Sequence, residues 1–292
     1  MVEAMKVLIL GGSGMLGHRL WMVLSGRFDA HVTLRRPNTW LGERADAQRI
    51  ITGVAAEDFD SVMQAVAKVQ PDVVVNCIGV VKQQGAAKDP IACLSINALF
   101  PHRLARLCQA ARSRLIHVST DCVFSGKKGA YTEADVADAE DLYGRSKLLG
   151  EVQRPGCLTL RTSIIGREIE TRQGLIEWFL SNAGKTVSGY RRAIFSGLTT
   201  QTLSELIARL IVDFTDLDGL WHVAAQPINK FDLLSLVRDQ FAANITIAPD
   251  DRFQCDRSLC AARFRQATGW TAPSWPEMIR IMRNETSMVK AA

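Results

Sequence analysis

The sequence predicts an α/β protein, a doubly wound parallel sheet followed by a smaller C-terminal cap. Three observations carry the prediction. Apolar strand-like runs alternate with helical patterns through the first half of the 292 residues, which places helices on both faces of a parallel sheet. The first strand runs straight into a loop of spaced glycines and then into an amphipathic stretch. After Arg161 the character changes and helical periodicity dominates.

The elements follow in order. Lys6 to Leu10 is apolar and reads as a strand over 6–10. Gly11-Gly12-Ser13-Gly14-Met15-Leu16-Gly17 comes next, and Leu16, Leu20, Val23 and Leu24 then recur at helical spacing, predicting a helix over 15–25. Gly11 permits a tight turn, Gly14 lets backbone approach a pyrophosphate, and Gly17 lets the helix pack close to the sheet. The helix N-terminus then faces the phosphates. This is a Rossmann-type dinucleotide loop, with Gly11, Ser13, Gly14, Met15, Leu16 and Gly17 as expected cofactor contacts. Further strands are expected at 31–35, 49–52, 72–76, 115–119 and 157–161, with helices at 58–69, 91–112 and 143–152 between them. Ser125 to Asp141 has no clean period and reads as a loop over the active site.

In the second half, helices are expected at 173–183, 200–213, 230–241 and 273–283, with short strands near 219–223 and 244–248. The expected organisation is a dinucleotide-binding domain over 1–165 and a mainly substrate-binding cap over 166–292. Part of 194–225 is expected to return to the sheet domain, and substrate to lie in the cleft. The chain is expected to fray from about Asn284.

Composition narrows the partners. The net charge is +5, and the basic residues are dispersed, with no basic tract interleaved with aromatics, so nucleic acid is not expected. The apolar runs are far too short to span a bilayer, and the N-terminus carries no signal-peptide pattern. Seven scattered cysteines without a CxxC pair suit reduced thiols in the cytoplasm. Cys255 and Cys260 have no histidine close by in sequence, so no metal site is expected.

The chemistry lies in Tyr143-Gly144-Arg145-Ser146-Lys147, downstream of Ser119-Thr120-Asp121. A Tyr and a Lys four residues apart on a helix share one face. An ordinary phenol titrates near 10, so it exchanges protons poorly at neutral pH without a nearby cation. Lys147 supplies that cation and can hold a nicotinamide ribose, while Thr120 can steady a substrate oxygen. Tyr143, Lys147 and Thr120 are the side chains that hydride transfer at a carbonyl carbon needs. The second strand ends in Arg35-Arg36, where an NAD site places an acidic residue on the ribose. Two guanidiniums suit a 2′-phosphate instead, which predicts NADPH, with NADH tolerated.

Together these residues resemble the extended short-chain dehydrogenase/reductase superfamily, and most closely the dTDP-4-dehydrorhamnose reductase-like nucleotide-sugar reductases. The matching pieces run in family order over roughly the first 165 residues. They are Gly11 to Gly17, Asn76-Cys77-Ile78-Gly79, Asn97, Ser119 to Gly126, Tyr143 to Glu151, and Leu160-Arg161-Thr162-Ser163. The resemblance implies that Tyr143 protonates the alkoxide developing at C4 of the sugar, that Lys147 binds the ribose and tunes the tyrosine, and that Thr120 hydrogen-bonds the carbonyl oxygen. It implies that Asn97 supports the lysine through backbone and water. Cys77, Ile78 and Gly79, with Asn76, would line the adenosine side, and Thr162 and Ser163 would sit by the nicotinamide. Glu151 matches the family string or simply pairs on the helix surface.

The resemblance implies reduction of a nucleotide-linked 4-keto deoxy sugar, and a homodimer is left open. Related 4,6-dehydratases carry a Thr-Asp-Glu string; Cys122 stands at the third position here, which disfavours elimination. Cys122 itself is expected to be a packing thiol. A C4 epimerase that retains its cofactor is one alternative. A non-catalytic regulatory subunit is another, which the intact Thr120-Tyr143-Lys147 set argues against. Arg191-Arg192 either meets a diphosphate or is a solvated pair. Trp178, Trp221, Trp270 and Trp275 are expected in the core, and His222 is expected to be structural.

Overall fold

The computed structural model describes residues 4–38, 41, 46–82, 85–169 and 172–290. β1 (Lys6–Leu10) leads into α1 (Met15–Leu24), then β2 (Asp29–Leu34), β3 (Ile50–Thr52), α2 (Phe59–Val69) and β4 (Val73–Asn76). α3 (Pro90–Ala92) continues as a π-helix over Cys93–Leu99 into α4 (Phe100–Ala110). β5 (Arg114–Thr120), α5 (Leu142–Leu149) and β6 (Cys157–Thr162) follow.

The large sheet has seven strands, and its seventh is β11 (Gly219–His222). The strand order is β11-β6-β5-β4-β1-β2-β3. The pairings β1–β2, β1–β4, β2–β3 and β4–β5 are parallel. The order turns back between β1 and β4, and ligands bind at such switch points, outside the carboxyl ends of the strands. The glycine loop leaves β1 there, and Asn76 to Gly79 leave β4 there.

The chain divides into two compact units. The first comprises Met1–Thr120, Glu140–Leu160 and Ser204–Leu220. Its core packs Leu8, Leu10, Val74 and Leu115 of the sheet against Val62 and Val66 of α2 and Phe100 and Leu104 of α4. These strands are apolar without alternation because helices cover both faces.

The second unit comprises Asp121–Ala139, Arg161–Leu203 and Trp221–Ala292. Its strands are short: β7 (Ile164–Ile165), β8 (Thr186–Tyr190), β9 (Ala193–Phe195), β10 (Leu198–Thr199), β12 (Ile228–Asn229), β13 (Thr246–Asp250) and β14 (Cys255–Asp256). They form two parallel pairs, β7–β10 and β8–β13, and a three-stranded sheet in which β9 lies between β12 and β14. The helices are α6 (Leu175–Leu180), α8 (Lys230–Phe241), α9 (Ala262–Thr268) and α10 (Trp275–Lys290), while α7 (Thr200–Val212) is divided between the units.

Several expectations are corrected. The helix expected over 91–112 carries the π segment, because the chain accommodates an extra residue per turn there, a feature 3.6-residue periodicity does not reveal. The helix expected to run to 152 ends at Leu149, with Gly150 as its C-cap, where a Cβ would lie 1.8 Å from the Asn97 carbonyl oxygen. α10 runs past Asn284 to Lys290. Trp275 is buried, but Trp178 is 41% exposed rather than in the core. Four short strands, β7 to β10, lie where no element was expected.

Candidate active site

Every expected site residue except Thr162 and Ser163 belongs to the first unit. Gly11 has φ +87°, the left-handed backbone that favours glycine. A Cβ on Gly17 would lie 2.1 Å from the Gly11 carbonyl oxygen, so helix and loop meet only without a side chain there. Gly12 is constrained as well, with a Cβ 2.1 Å from Val32 Cγ2. Gly14 differs. It is exposed, and a Cβ there would meet nothing closer than the Gly11 carbonyl oxygen at 3.4 Å. The fold itself does not require a glycine at 14. Gly14 caps α1 without a side-chain hydrogen bond, and the first turn, opening at Met15 and Leu16, holds no acidic residue. Such a terminus suits an anion. Ser13 is half-buried in the same loop. Arg35 and Arg36 are exposed just past β2.

α5 begins where it does because Asp141 accepts from the Gly144 N–H at 2.7 Å, an N-cap that fixes the turn carrying Tyr143. Asp141 also pairs with Lys82 at 2.6 Å. Four residues after Tyr143, Lys147 is buried, and its Nζ donates to the Val118 carbonyl oxygen of β5 at 2.9 Å. Burial lowers its pKa to about 8, with Glu151 and Cys77 pulling the other way. The Cys77 thiol is pushed up to about 12 by burial and stays neutral beside it. Thr120 is buried at the carboxyl end of β5.

Asn97 sits in the π segment, fully enclosed. Its Oδ1 accepts from the Val80 N–H at 2.9 Å, and its Nδ2 donates to the Val80 carbonyl at 3.1 Å and to Ser146 Oγ at 3.3 Å. Asn97 thus clamps the loop after β4 to the residue preceding Lys147. Gly79 lies between, with a Cβ there 3.3 Å from Asn97 Oδ1 and 4.0 Å from Lys147 Nζ. Ile78 donates its N–H to Asn76 Oδ1, and Asn76 Nδ2 meets His117 Nδ1 at 3.1 Å. Burial, then Lys147, holds the His117 pKa well below 6.5, so the imidazole is neutral.

Glu151 is not a surface residue. It is buried and accepts from Ser119 Oγ at 2.7 Å, tying the end of β5 to the segment after α5. Thr162 is buried at the end of β6, in the second unit, where its hydroxyl donates to the Ser163 carbonyl at 3.3 Å. Arg191 is paired with Asp251, and Arg192 with Gln254, both on the exterior of that unit. His222 is buried, with Nδ1 3.0 Å from the Tyr131 carbonyl and Nε2 3.3 Å from Arg161, in keeping with a structural role. Cys122 is half-buried. No group of three or more ligand-type side chains among the described residues could hold a metal ion, and no described helix is long and apolar enough to cross a membrane.

Residues 5–254 match the family model described as the RmlD substrate binding domain. The chain belongs to that family. Its fold is that of the extended short-chain dehydrogenases/reductases. The chain is 28% identical to the probable low-salt glycan biosynthesis reductase Agl14 of Haloferax volcanii over 235 residues, 76% of this chain and 75% of that protein. It is 31% identical to the dTDP-4-dehydrorhamnose reductase of Mycolicibacterium smegmatis over 172 residues, which cover 57% of this chain and 47% of the relative. The matched stretch therefore spans less than half of that reductase. In structure the chain resembles the dTDP-4-dehydrorhamnose reductase of Bacillus anthracis in complex with NADP, with a TM-score of 0.80 at 20% identity, over 97% of this chain and 100% of that one.

Proposed function

We propose that the chain reduces the C4 keto group of a nucleotide-activated deoxy sugar, with NADPH as cofactor. The observation that carries this is the Lys147 ammonium, buried, held by the Val118 carbonyl and four residues from Tyr143 on α5, with Thr120 ending the same strand as Val118. The family supports it, as do the reductase names of the relatives.

The cofactor, when bound, supplies the hydride to C4. Tyr143 gives its phenolic proton to the C4 oxygen, so the ketone becomes an alcohol and the tyrosine a phenolate. Lys147 stabilises that phenolate and reaches the ribose hydroxyls. Thr120 donates a hydrogen bond to the same C4 oxygen. The glycine loop, Gly14 above all, receives the pyrophosphate on the N-terminus of α1, and Cys77, Ile78 and Gly79 flank the adenosine side. Arg35 and Arg36 hold the 2′-phosphate. Thr162 and Ser163, and the second unit generally, serve the nicotinamide and the substrate. A reducing cytoplasm suits the seven free thiols.

The test is consumption of NADPH by the purified protein supplied with dTDP-4-keto-6-deoxyglucose, with the product sugar identified. Stoichiometric oxidation and a C4 alcohol support the reading. Interconversion of C4 epimers without net NADPH loss, by protein purified with bound nicotinamide, rejects it in favour of an epimerase.

A further inference from the structure

Asn76 and His117 are register partners in the parallel pair β4–β5, and both are buried. They and every residue discussed around them belong to the first unit. Chemistry fixes the direction of each hydrogen bond here. The Ile78 N–H can only donate, so the Asn76 atom that meets it at 3.0 Å is the amide oxygen. Asn76 Nδ2 then faces His117 Nδ1 at 3.1 Å and donates to it. Nδ1 is therefore the bare nitrogen, and the ring proton sits on Nε2. Burial, with Lys147 and His102 acting in the same direction, keeps the ring neutral, as this arrangement requires.

Among the described residues, Nε2 has no hydrogen-bond partner. A buried N–H without an acceptor opposes folding. An apolar side chain would fill the same place without that cost, but it would not supply the Nδ1 lone pair. Among the described residues, that lone pair is the acceptor on which the orientation of the Asn76 amide depends. Without it the amide can rotate, and the Ile78 N–H loses a fixed acceptor.

Ile78 is where this matters. It lies in the loop leaving β4 at the switch point, packed against the first glycine of the glycine loop. A Cβ on Gly11 would lie 3.1 Å from Ile78 Cγ1, and 3.2 Å from both the Ile78 nitrogen and the Cys77 carbonyl carbon. One residue on, a Cβ on Gly79 would lie 3.3 Å from Asn97 Oδ1 and 4.0 Å from Lys147 Nζ. In so close a packing, a shift of the Ile78 backbone reaches the glycine loop on one side and the lysine on the other.

We propose that His117 is a positioning residue for the dinucleotide: its Nδ1 locks the Asn76 amide, the amide oxygen holds the Ile78 N–H, and the Cys77-Ile78-Gly79 backbone is thereby set against Gly11 in the conformation that receives the cofactor. The assignment rests on the reading of the chain as an NADPH-dependent reductase. His117 acts through Asn76 and takes no part in the proton transfer.

The test measures NADPH affinity by fluorescence titration, well below the Tm of each protein, in wild type, His117→Leu, His117→Asn, Asn76→Ala and the double variant His117→Leu, Asn76→Ala. In His117→Leu the acceptor is gone, and NADPH is expected to bind roughly 10-fold more weakly. His117→Asn places an amide oxygen where Nδ1 was, and is expected to bring affinity back to within about 3-fold of wild type. The double variant is expected to bind NADPH as Asn76→Ala alone does, because His117 acts through that amide. If Asn76→Ala does not fold, the contrast between Leu and Asn at position 117 decides the matter. Equal affinity in wild type and His117→Leu, equal loss in both His117 variants, or additive losses in the double variant overturns the assignment and leaves the reductase reading standing. A wild-type protein that binds no NADPH overturns both.

Discussion

Lys147 Nζ donates to the carbonyl oxygen of Val118 at 2.9 Å, two residues before Thr120 on the same strand. One hydrogen bond thus couples the helix that carries Tyr143 to the strand that carries Thr120. The cost is a buried ammonium, visible in its pKa of about 8 against an ordinary 10.5.

That pKa gives a pH profile. Lys147 is charged below about pH 8 and neutral above it, so NADPH-dependent turnover falls as pH rises through about 8. Lys147→Arg keeps its charge and moves that limb upward. Stability runs the other way. Between about 8 and 10.5 the unfolded chain holds a proton that the folded lysine has lost, so this residue's contribution to stability rises with pH across that window. Lys230 contributes with the same sign, and the buried thiols with the opposite one. The difference between wild type and Lys147→Met in urea unfolding at pH 7 and pH 9.5 isolates it. The expected result is that wild type gains relative to the variant at the higher pH.

Two glycines in one loop are expected to behave differently. Gly17→Ala drives a Cβ into the Gly11 carbonyl and lowers Tm by several degrees. Gly14→Ala has room, retains the wild-type Tm, and binds NADPH at least about 10-fold more weakly, because only the ligand's approach is blocked. Calorimetry and fluorescence titration on both variants check this; equal loss of Tm in both contradicts it.

Cofactor choice is assigned to Arg35 and Arg36. The double substitution Arg35→Ala, Arg36→Ala is expected to lower kcat/KM for NADPH roughly 10–100-fold while leaving that for NADH within about 3-fold, since charged hydrogen bonds to the 2′-phosphate are lost. Parallel loss with both nucleotides would place the arginines elsewhere.

Asp141 caps α5 at the residue before its first turn. Asp141→Ala is expected to cost about 1 kcal/mol in denaturant unfolding and to lower kcat more than it raises KM for NADPH, because the cap fixes the turn bearing Tyr143. Unchanged kcat at reduced stability would limit Asp141 to a structural role.

Local signals in the sequence were sufficient for the glycine loop, the sheet strands and the Tyr143–Lys147 pair, since each depends on spacing within one turn or one strand. What depended on distant chain was hidden. Glu151 is buried because Ser119 meets it from β5, 32 positions away. The two- and three-residue strands around β9 exist only through their partners, and no period can show in so few residues. Asn97 matched by position, but its clamp on Val80 and Ser146 depends on a π segment that helical periodicity cannot indicate.

The central claim is that Tyr143 is the proton donor in reduction of a C4 ketone. The most direct measurement follows NADPH oxidation with dTDP-4-keto-6-deoxyglucose in wild type and Tyr143→Phe, with NADPH affinity determined for both. The account predicts wild-type turnover that falls roughly 100- to 10,000-fold in Tyr143→Phe while NADPH affinity holds. Turnover surviving in Tyr143→Phe within a few-fold of wild type would contradict it.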